Sequence, residues 1–541
     1  MIQNPILRGF NPDASIIRVE DDYYIATSTF EWFPGVLIHH SKDLMNWRPL
    51  TRPLDRVNQL DLRGVPSSGG IWAPSLSYCD GTFYLCFTNV VGRKGVYKDL
   101  HNYMVTAPSM EGPWSEPIYL NSSGFDHFMF HDTDGRKYLF NMQWDFRKNK
   151  NRFAGIIMQE FCPAEGKLIG EIKLITQGTE LGVTEGPMVY RKDGYYYLLV
   201  AEGGTGPMHA ATLMRAKSVD GPYEVDPDFP LITTRTTPDH PLQNAGHGSL
   251  VETQLGDWYM VFICSRPLLD GRGLSPLGRE TSLQKVVWTA DGWLRLAAGG
   301  KQPQLHIPET ELTPHLFAPD PVRDDFDAAK LSVHWHTLRV PADESWLSLT
   351  DRPGFLRLKG RESLTSLHQQ SLVARRIQSF QCEMVTCVAF EPETFTQMAG
   401  LVLYYDESDH YYLRISHDDQ IGKHLAIIVS DQGQYDELDA YVPIPEGKRV
   451  YLKAAMNFDK IQFFYSLDGQ SWEPIGPTLY AGNLADSYQR KLSFTGAFVG
   501  LCAQDLRGTR LHADFDFFDY EELDRFDAES YNRKLHEIPG G

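Results

Sequence analysis

Cysteine is scarce and unpatterned in this sequence of 541 residues: seven thiols, an odd number, with no CxxC or CxxH spacing. That excludes a disulfide scaffold and a structural zinc module, and leaves reduced, mostly buried thiols. Basic charge is also short. With 51 Lys and Arg against 70 Asp and Glu, the net charge is -19, and such a chain lacks the clustered cations that nucleic acid or an anionic membrane requires. A neutral or weakly charged ligand fits better. No apolar run approaches the roughly 18 residues of a membrane span. The opening stretch MIQNPILRGFNPDAS has no basic segment followed by an apolar one, so a cytoplasmic protein is expected. Amphipathic helical periodicity is scarce too, which turns the reading toward an all-β protein. The length exceeds one compact core, so two domains are expected.

What is present is a repeat. Five segments share a small or acidic entry, an apolar run, a tight polar turn and an aromatic-rich strand: PDASIIRVEDDYYIATS, WAPSLSYCDGTFYLCFT, DHFMFHDTDGRKYLFNM, EGPMVYRKDGYYYLLVA and GHGSLVETQLGDWYMVF. They begin at Pro12, Trp72, Asp126, Glu185 and Gly246, 54 to 61 residues apart. Asp-Gly between β-branched and aromatic runs signals a hairpin, because both residues tolerate positive φ. A hairpin recurring at this period predicts the blades of a five-bladed β-propeller over residues 1–300. The segments SKDLMNWRPL, APSMEGPWSEP and AKSVDGPYEVDP are expected near the outer blade strands. Residues 301–325 (KQPQLHIPETELTPHLFAPDPVRDD) are Pro-rich and read as a linker. From 326 to 541, short apolar runs alternate with polar turns and no repeat recurs, which predicts a lectin-like β-sandwich.

Aligned on their hairpins, the repeats put Asp13 and His247 at one level and Trp72, Asp126 and Glu185 at the adjacent one. Innermost strand starts face a propeller's axis, so three carboxyls, an imidazole and an indole converge. Like charge and low dielectric both oppose ionisation of grouped buried acids, so such a cluster reads as functional rather than structural. Each member alone has a plainer reading. Asp13 suits a turn, Glu185 a solvated loop, Asp126 a buried ion pair, and His247 a hydrogen-bonded core position.

FNPDASI, GGIWAPSLSY, GFDHFMFHD, TEGPMVY and SPLGRETSLQK, with DRPGFLRLKGRESL and FTGAFVGL further on, closely resemble the β-xylosidases of glycoside hydrolase family 43 across essentially the whole chain. The resemblance implies a five-bladed propeller with a concanavalin-type sandwich, and single-displacement hydrolysis with inversion. It implies xylose release from the non-reducing ends of short β-1,4-xylo-oligosaccharides, often with side activity on α-L-arabinofuranosides. By position, Asp13 matches the general base, Glu185 the general acid, and Asp126 the acid that orients Glu185 and tunes its pKa. Inversion needs one carboxylate to activate water and one carboxylic acid to protonate the leaving oxygen, roughly 6.5–9.5 Å apart.

Arg279 in LGRET matches a pocket arginine; the plain alternative is a surface pair with Glu280. Trp72, Phe30 and Phe125 match aromatic walls around the terminal sugar, and His247 a substrate-binding position. A sandwich loop closes the pocket in the relatives, which makes Phe494 or Phe498 the candidate here. Ala14 stands where the family often has proline. No cofactor is required on this reading; some members hold calcium near the axis through water on the histidine matched by His247, although no calcium loop is present. Relatives often form dimers or tetramers, so a homo-oligomer is expected. The competing readings are an α-L-arabinofuranosidase, a sugar-binding protein with a dead site, and an invertase-type fructosidase. The last normally carries RDP and EC motifs, which are missing from the expected blade positions.

Overall fold

The computed structural model describes residues 1–488 and 492–523. Five antiparallel sheets come first in the chain. Their innermost strands are Ser15–Val19, Gly70–Cys79, Gly124–His131, Glu185–Lys192 and Gln243–Glu252. Each sheet then runs outward through three more strands in chain order, the fourth carrying an extra strand, Ile232–Thr233. The inner hairpins close where the sequence places its turns. Asp80 and Gly81 adopt φ of 49° and 76°, and Asp193 and Gly194 repeat this at 49° and 75°, the left-handed pair that a two-residue hairpin requires.

Side chains tie neighbouring inner strands together. Ser15 Oγ accepts from Leu76 N at 3.0 Å, Ser75 Oγ donates to His127 O at 2.5 Å, Tyr190 OH accepts from Leu250 N at 2.7 Å, and Ser249 Oγ accepts from Ile16 N at 3.1 Å. Between blades lie separate apolar cores, such as Ile38, Leu76, Phe83 and Leu85 between the first and second, and Leu199, Met260, Phe262 and Trp293 between the fourth and fifth. A sheet with two buried faces can afford aromatic and aliphatic residues on both, which explains the near-continuous apolar runs. The five blades thus form the propeller expected from the repeat.

The Pro-rich stretch is bound to the propeller rather than loose. His306–Ile307 pairs with Ile2–Gln3, Thr310 Oγ1 donates to Asp43 O at 2.9 Å, and His315 N donates to Asp43 Oδ2 at 2.7 Å. Beyond it, two large antiparallel sheets pack into the sandwich around Trp346, Leu401, Leu452, Phe463 and Phe515. One sheet takes its edge strand from the propeller: Trp32–Phe33 pairs with His336–Leu338. A core of Phe10, Phe30, Trp32, Leu338, Tyr404 and Phe498 fills the seam. Burying that much apolar surface fixes one unit on the other.

Candidate active site

The inner strands do not run straight into the axis. Pairing registers shift between Phe125 and His127, between Glu185 and Met188, and between Gly246 and Ser249. At these bulges, or just before the first strand, Asp13, Asp126 and His247 take φ of 57°, 53° and 47°, while the fourth blade uses Gly186 at 58°. Left-handed backbone at non-glycine residues costs about 1–3 kcal/mol each and clusters at functional sites. Asp13, Asp126 and His247 are therefore the equivalent positions, with Glu185 one step before its blade's glycine. Hairpin alignment grouped Asp126 with Glu185 because it cannot register a bulge. Gly186 also leaves room for the histidine: a Cβ there would lie 2.8 Å from His247 Nε2.

These side chains line one cavity of about 490 Å³ together with Arg279, Trp72, Phe30, Phe125 and Phe494. Asp13 is held from three sides. Arg279 Nη1 donates to its Oδ1 at 2.8 Å and Nη2 to its Oδ2 at 3.4 Å, Ser28 Oγ donates to Oδ2 at 2.6 Å, and His247 Nδ1 lies 3.6 Å from Oδ1. Burial would raise this carboxyl, but Arg279, His247 and Ser28 overcome it and hold Asp13 far below the ordinary carboxylate range. The other two acids move the opposite way. Burial, then the negative charge of Asp13, pushes Glu185 up to about 8. Burial and the neighbouring Glu185 drive Asp126 well above its usual value. Asp13 on one side and Glu185 with Asp126 on the other are thus displaced in opposite directions within one pocket.

Neighbouring strands fix these positions. Glu280, the plain alternative partner for Arg279, is bound instead by Arg266 through two 2.6 Å hydrogen bonds. Arg279 points inward and ties down the loop bearing Asp13, since Asn11 N donates to Arg279 O at 3.0 Å. The approach to Glu185 hangs on buried Glu202, which accepts from Thr179 N, Thr179 Oγ1, Thr184 Oγ1 and Thr212 Oγ1 at 2.7–3.1 Å.

The aromatic walls meet edge to face: Trp72 lies 5.2 Å from Phe125 and 5.5 Å from Phe494. Phe494 comes from the sandwich, whereas Phe498 is core, stacked on Trp32 at 4.0 Å. Of the two candidates, only Phe494 faces the cavity. Ser68 holds it there. Its Oγ accepts from Phe494 N at 3.1 Å, its carbonyl from Trp72 Nε1 at 2.9 Å, and its N–H donates to Glu31 Oε2 at 3.0 Å. Phe494 O in turn accepts from Arg279 Nη2 at 3.1 Å, so wall, arginine and carboxylate form one chain of contacts.

Sequence reasoning missed Ser28, Ser68 and Glu202, and also Thr205, His209, Trp144, Arg152 and Phe153, which line the cavity. Among the described residues no group of three or more His, Cys, Asp or Glu is placed to hold a metal ion. His247, despite burial, is pushed toward its protonated form by Asp13 and Asp126.

A propeller axis carrying one carboxyl held ionised and another pushed toward its protonated form, under aromatic walls, is the apparatus of a two-carboxylate glycoside hydrolase. Comparison with known proteins agrees. Residues 2–294 match glycosyl hydrolases family 43, and residues 323–521 match the β-xylosidase C-terminal concanavalin A-like domain. The chain belongs to glycosyl hydrolases family 43. It is 47% identical to a β-xylosidase of Bacillus subtilis, over 96% of this chain and 99% of that one. It is 48% identical to a xylan 1,3-β-xylosidase of Vibrio sp., with the same coverage of each chain. The crystal structure of a xylan β-1,4-xylosidase from Bacillus halodurans superimposes with a TM-score of 0.95 at 56% identity, covering 96% of this chain and 100% of that one.

Proposed function

We propose that the protein removes single xylose units from the non-reducing ends of β-1,4-xylo-oligosaccharides with inversion at the anomeric carbon. The observation that carries this reading is the opposite displacement of Asp13 and Glu185 within one cavity. Asp13, ionised and aligned by Arg279 and Ser28, acts as the general base that deprotonates the attacking water. Glu185, still protonated at neutral pH, donates to the leaving oxygen. Asp126 keeps the proton on that pair, because two adjacent carboxyls resist double ionisation. Trp72, Phe30, Phe125 and Phe494 enclose the terminal sugar, and Phe494 closes the side along which a longer chain would continue. That wall supports exo action.

The 1,4 linkage draws its support from the Bacillus halodurans relative and is challenged by the Vibrio one. Hydrolysis of 1,4- and 1,3-linked xylobiose, side by side, decides between them. Turnover of p-nitrophenyl β-D-xyloside against the α-L-arabinofuranoside tests the sugar; a clear preference for the arabinoside would replace the xylosidase reading. Asp13→Ala and Glu185→Ala both abolish xylobiose hydrolysis on this account, and wild-type rates in the two variants would overturn it.

A further inference from the structure

Basic charge, short in the chain as a whole, gathers at the mouth of the axial cavity. Two loops border it: residues 93–98, between Thr82–Gly92 and Asp99–Ala107 of the second blade, and residues 145–152, between Lys137–Trp144 and Phe153–Cys162 of the third. The first carries three Lys and Arg residues and the second four, against a single acid, Asp145, which pairs with Arg147 at 2.6 Å. The loops meet. The rings of Tyr97 and Phe146 lie 5.0 Å apart, and Trp144 Nε1 donates to Val96 O at 3.0 Å. Arg93, Lys98 and Arg152 line the cavity itself, where the acids are Asp13, Asp126 and Glu185. Those three acids draw on other cations: Arg279 and His247 are the ones that act most on them.

Among the described residues Arg93, Lys98 and Arg152 form no ion pair. Arg93 uses its donors on Ser67 O and Leu492 O at 3.0–3.1 Å, so it contributes charge, whereas Lys98 and Arg152 keep donors for a ligand. Lys98 is no solvent-swept lysine. It is half-buried, its Nζ lies 4.8 Å from the Trp144 ring and donates to Arg93 O at 3.1 Å. Burial, then Arg93 and Arg152, work against its charge. Like charges held together without a counter-ion repel one another, and a substrate bringing the opposite charge relieves them. An aromatic run joins this rim to the walls of the sugar pocket, with Phe125 6.2 Å from Phe153 and Phe153 5.4 Å from Trp144. A neutral sugar chain packs on such rings and needs no cations. We infer, resting on the xylosidase reading above, that the rim binds a carboxylate carried by the part of the substrate beyond the terminal xylose. The substrates then include xylo-oligosaccharides with a uronic acid branch, its carboxylate held by Lys98 and Arg152.

The test compares kcat/KM for xylotriose carrying a glucuronic acid branch on its second or its third unit from the non-reducing end. Each compound is paired with its counterpart in which the carboxyl is reduced to the alcohol. At one of the two positions the acid should be preferred by about five- to tenfold, between the worth of an exposed ion pair and that of a charge-assisted hydrogen bond. Ionic strength of about 0.5 M should shrink the preference. In the double variant Lys98→Gln, Arg152→Gln the ratio should fall to about one, and in Lys98→Arg, Arg152→Lys most of it should return, because charge is the quantity read. Each ratio compares two substrates on one protein, so a variant that folds less well does not alter it. Equal rates on acid and alcohol at both positions, or a preference that survives in the double glutamine variant, would overturn the inference. Unbranched xylotriose reports separately on the xylosidase reading: its hydrolysis upholds that reading even when the acid is not preferred, and its failure to react removes both.

Discussion

Replacing Arg279 by glutamine isolates the force that keeps Asp13 ionised. Arg279 supplies two hydrogen bonds to a carboxylate that is 5% exposed, and burial works against the charge. A hydrogen bond to a charged group is worth about 1.5–3 kcal/mol, and one pKa unit about 1.4 kcal/mol. Counting only the shorter of the two bonds, losing the guanidinium should therefore move the acidic limb of kcat/KM for xylobiose up by at least about one to two pH units. The alkaline limb should follow by less, because Arg279 lowers Glu185 only through space. The assay is the pH profile of kcat/KM from pH 2 to 9, over the range in which each protein stays folded, for wild type, Arg279→Gln and Arg279→Lys. Lysine keeps the charge and should restore most of the limb's position, even if KM stays high from the lost contact to Phe494 O. An acidic limb that stays in place in Arg279→Gln would refute the claim that Arg279 sets the ionisation of the base.

Other consequences follow from the same contacts. Glu185→Gln should cost xylobiose about 10²–10⁴ in rate but spare aryl xylosides with activated leaving groups, and should erase the alkaline limb near pH 8; equal losses on both substrates would deny it the proton-donor role. Ser68→Ala removes the acceptor of Phe494 N–H at a cost of about 1 kcal/mol, so KM should rise about fivefold with kcat nearly unchanged. A fall in kcat with KM unchanged would contradict its place as a positioning residue for the wall. Burial holds Glu31, which is fully buried, up to about 7, so its stabilising contribution is complete below the ordinary Glu range and lost as pH rises through 7. Melting of Glu31→Gln should accordingly gain on wild type between pH 6 and 8.5.

The blades were legible because each must bury two faces and turn tightly, and Asp80-Gly81 and Asp193-Gly194 write that into composition. The convergence of Asp13, Asp126 and Glu185 was legible because a repeat converts sequence position into radial position. The offset between repeats was not, since a bulge at Asp126 or His247 leaves no mark beyond a left-handed backbone; only Gly186 betrays one. Contacts spanning hundreds of residues were also hidden. Trp32–Phe33 reads as part of the first blade, yet closes a sheet of the sandwich. Ser68 and Glu202 look like ordinary polar residues until Phe494 and Thr179 are brought against them. Proline content marks 301–325 as a linker but says nothing of the paired backbone at His306–Ile307 that holds it to the first strand.

Water activated by Asp13 on the face opposite Glu185 must invert the anomeric carbon, so the stereochemistry of the first product reads out the role of Asp13. Proton NMR of xylobiose hydrolysis, followed before mutarotation, should show α-xylose appearing first from the non-reducing unit. Initial release of β-xylose would contradict single displacement and, with it, the role given to Asp13.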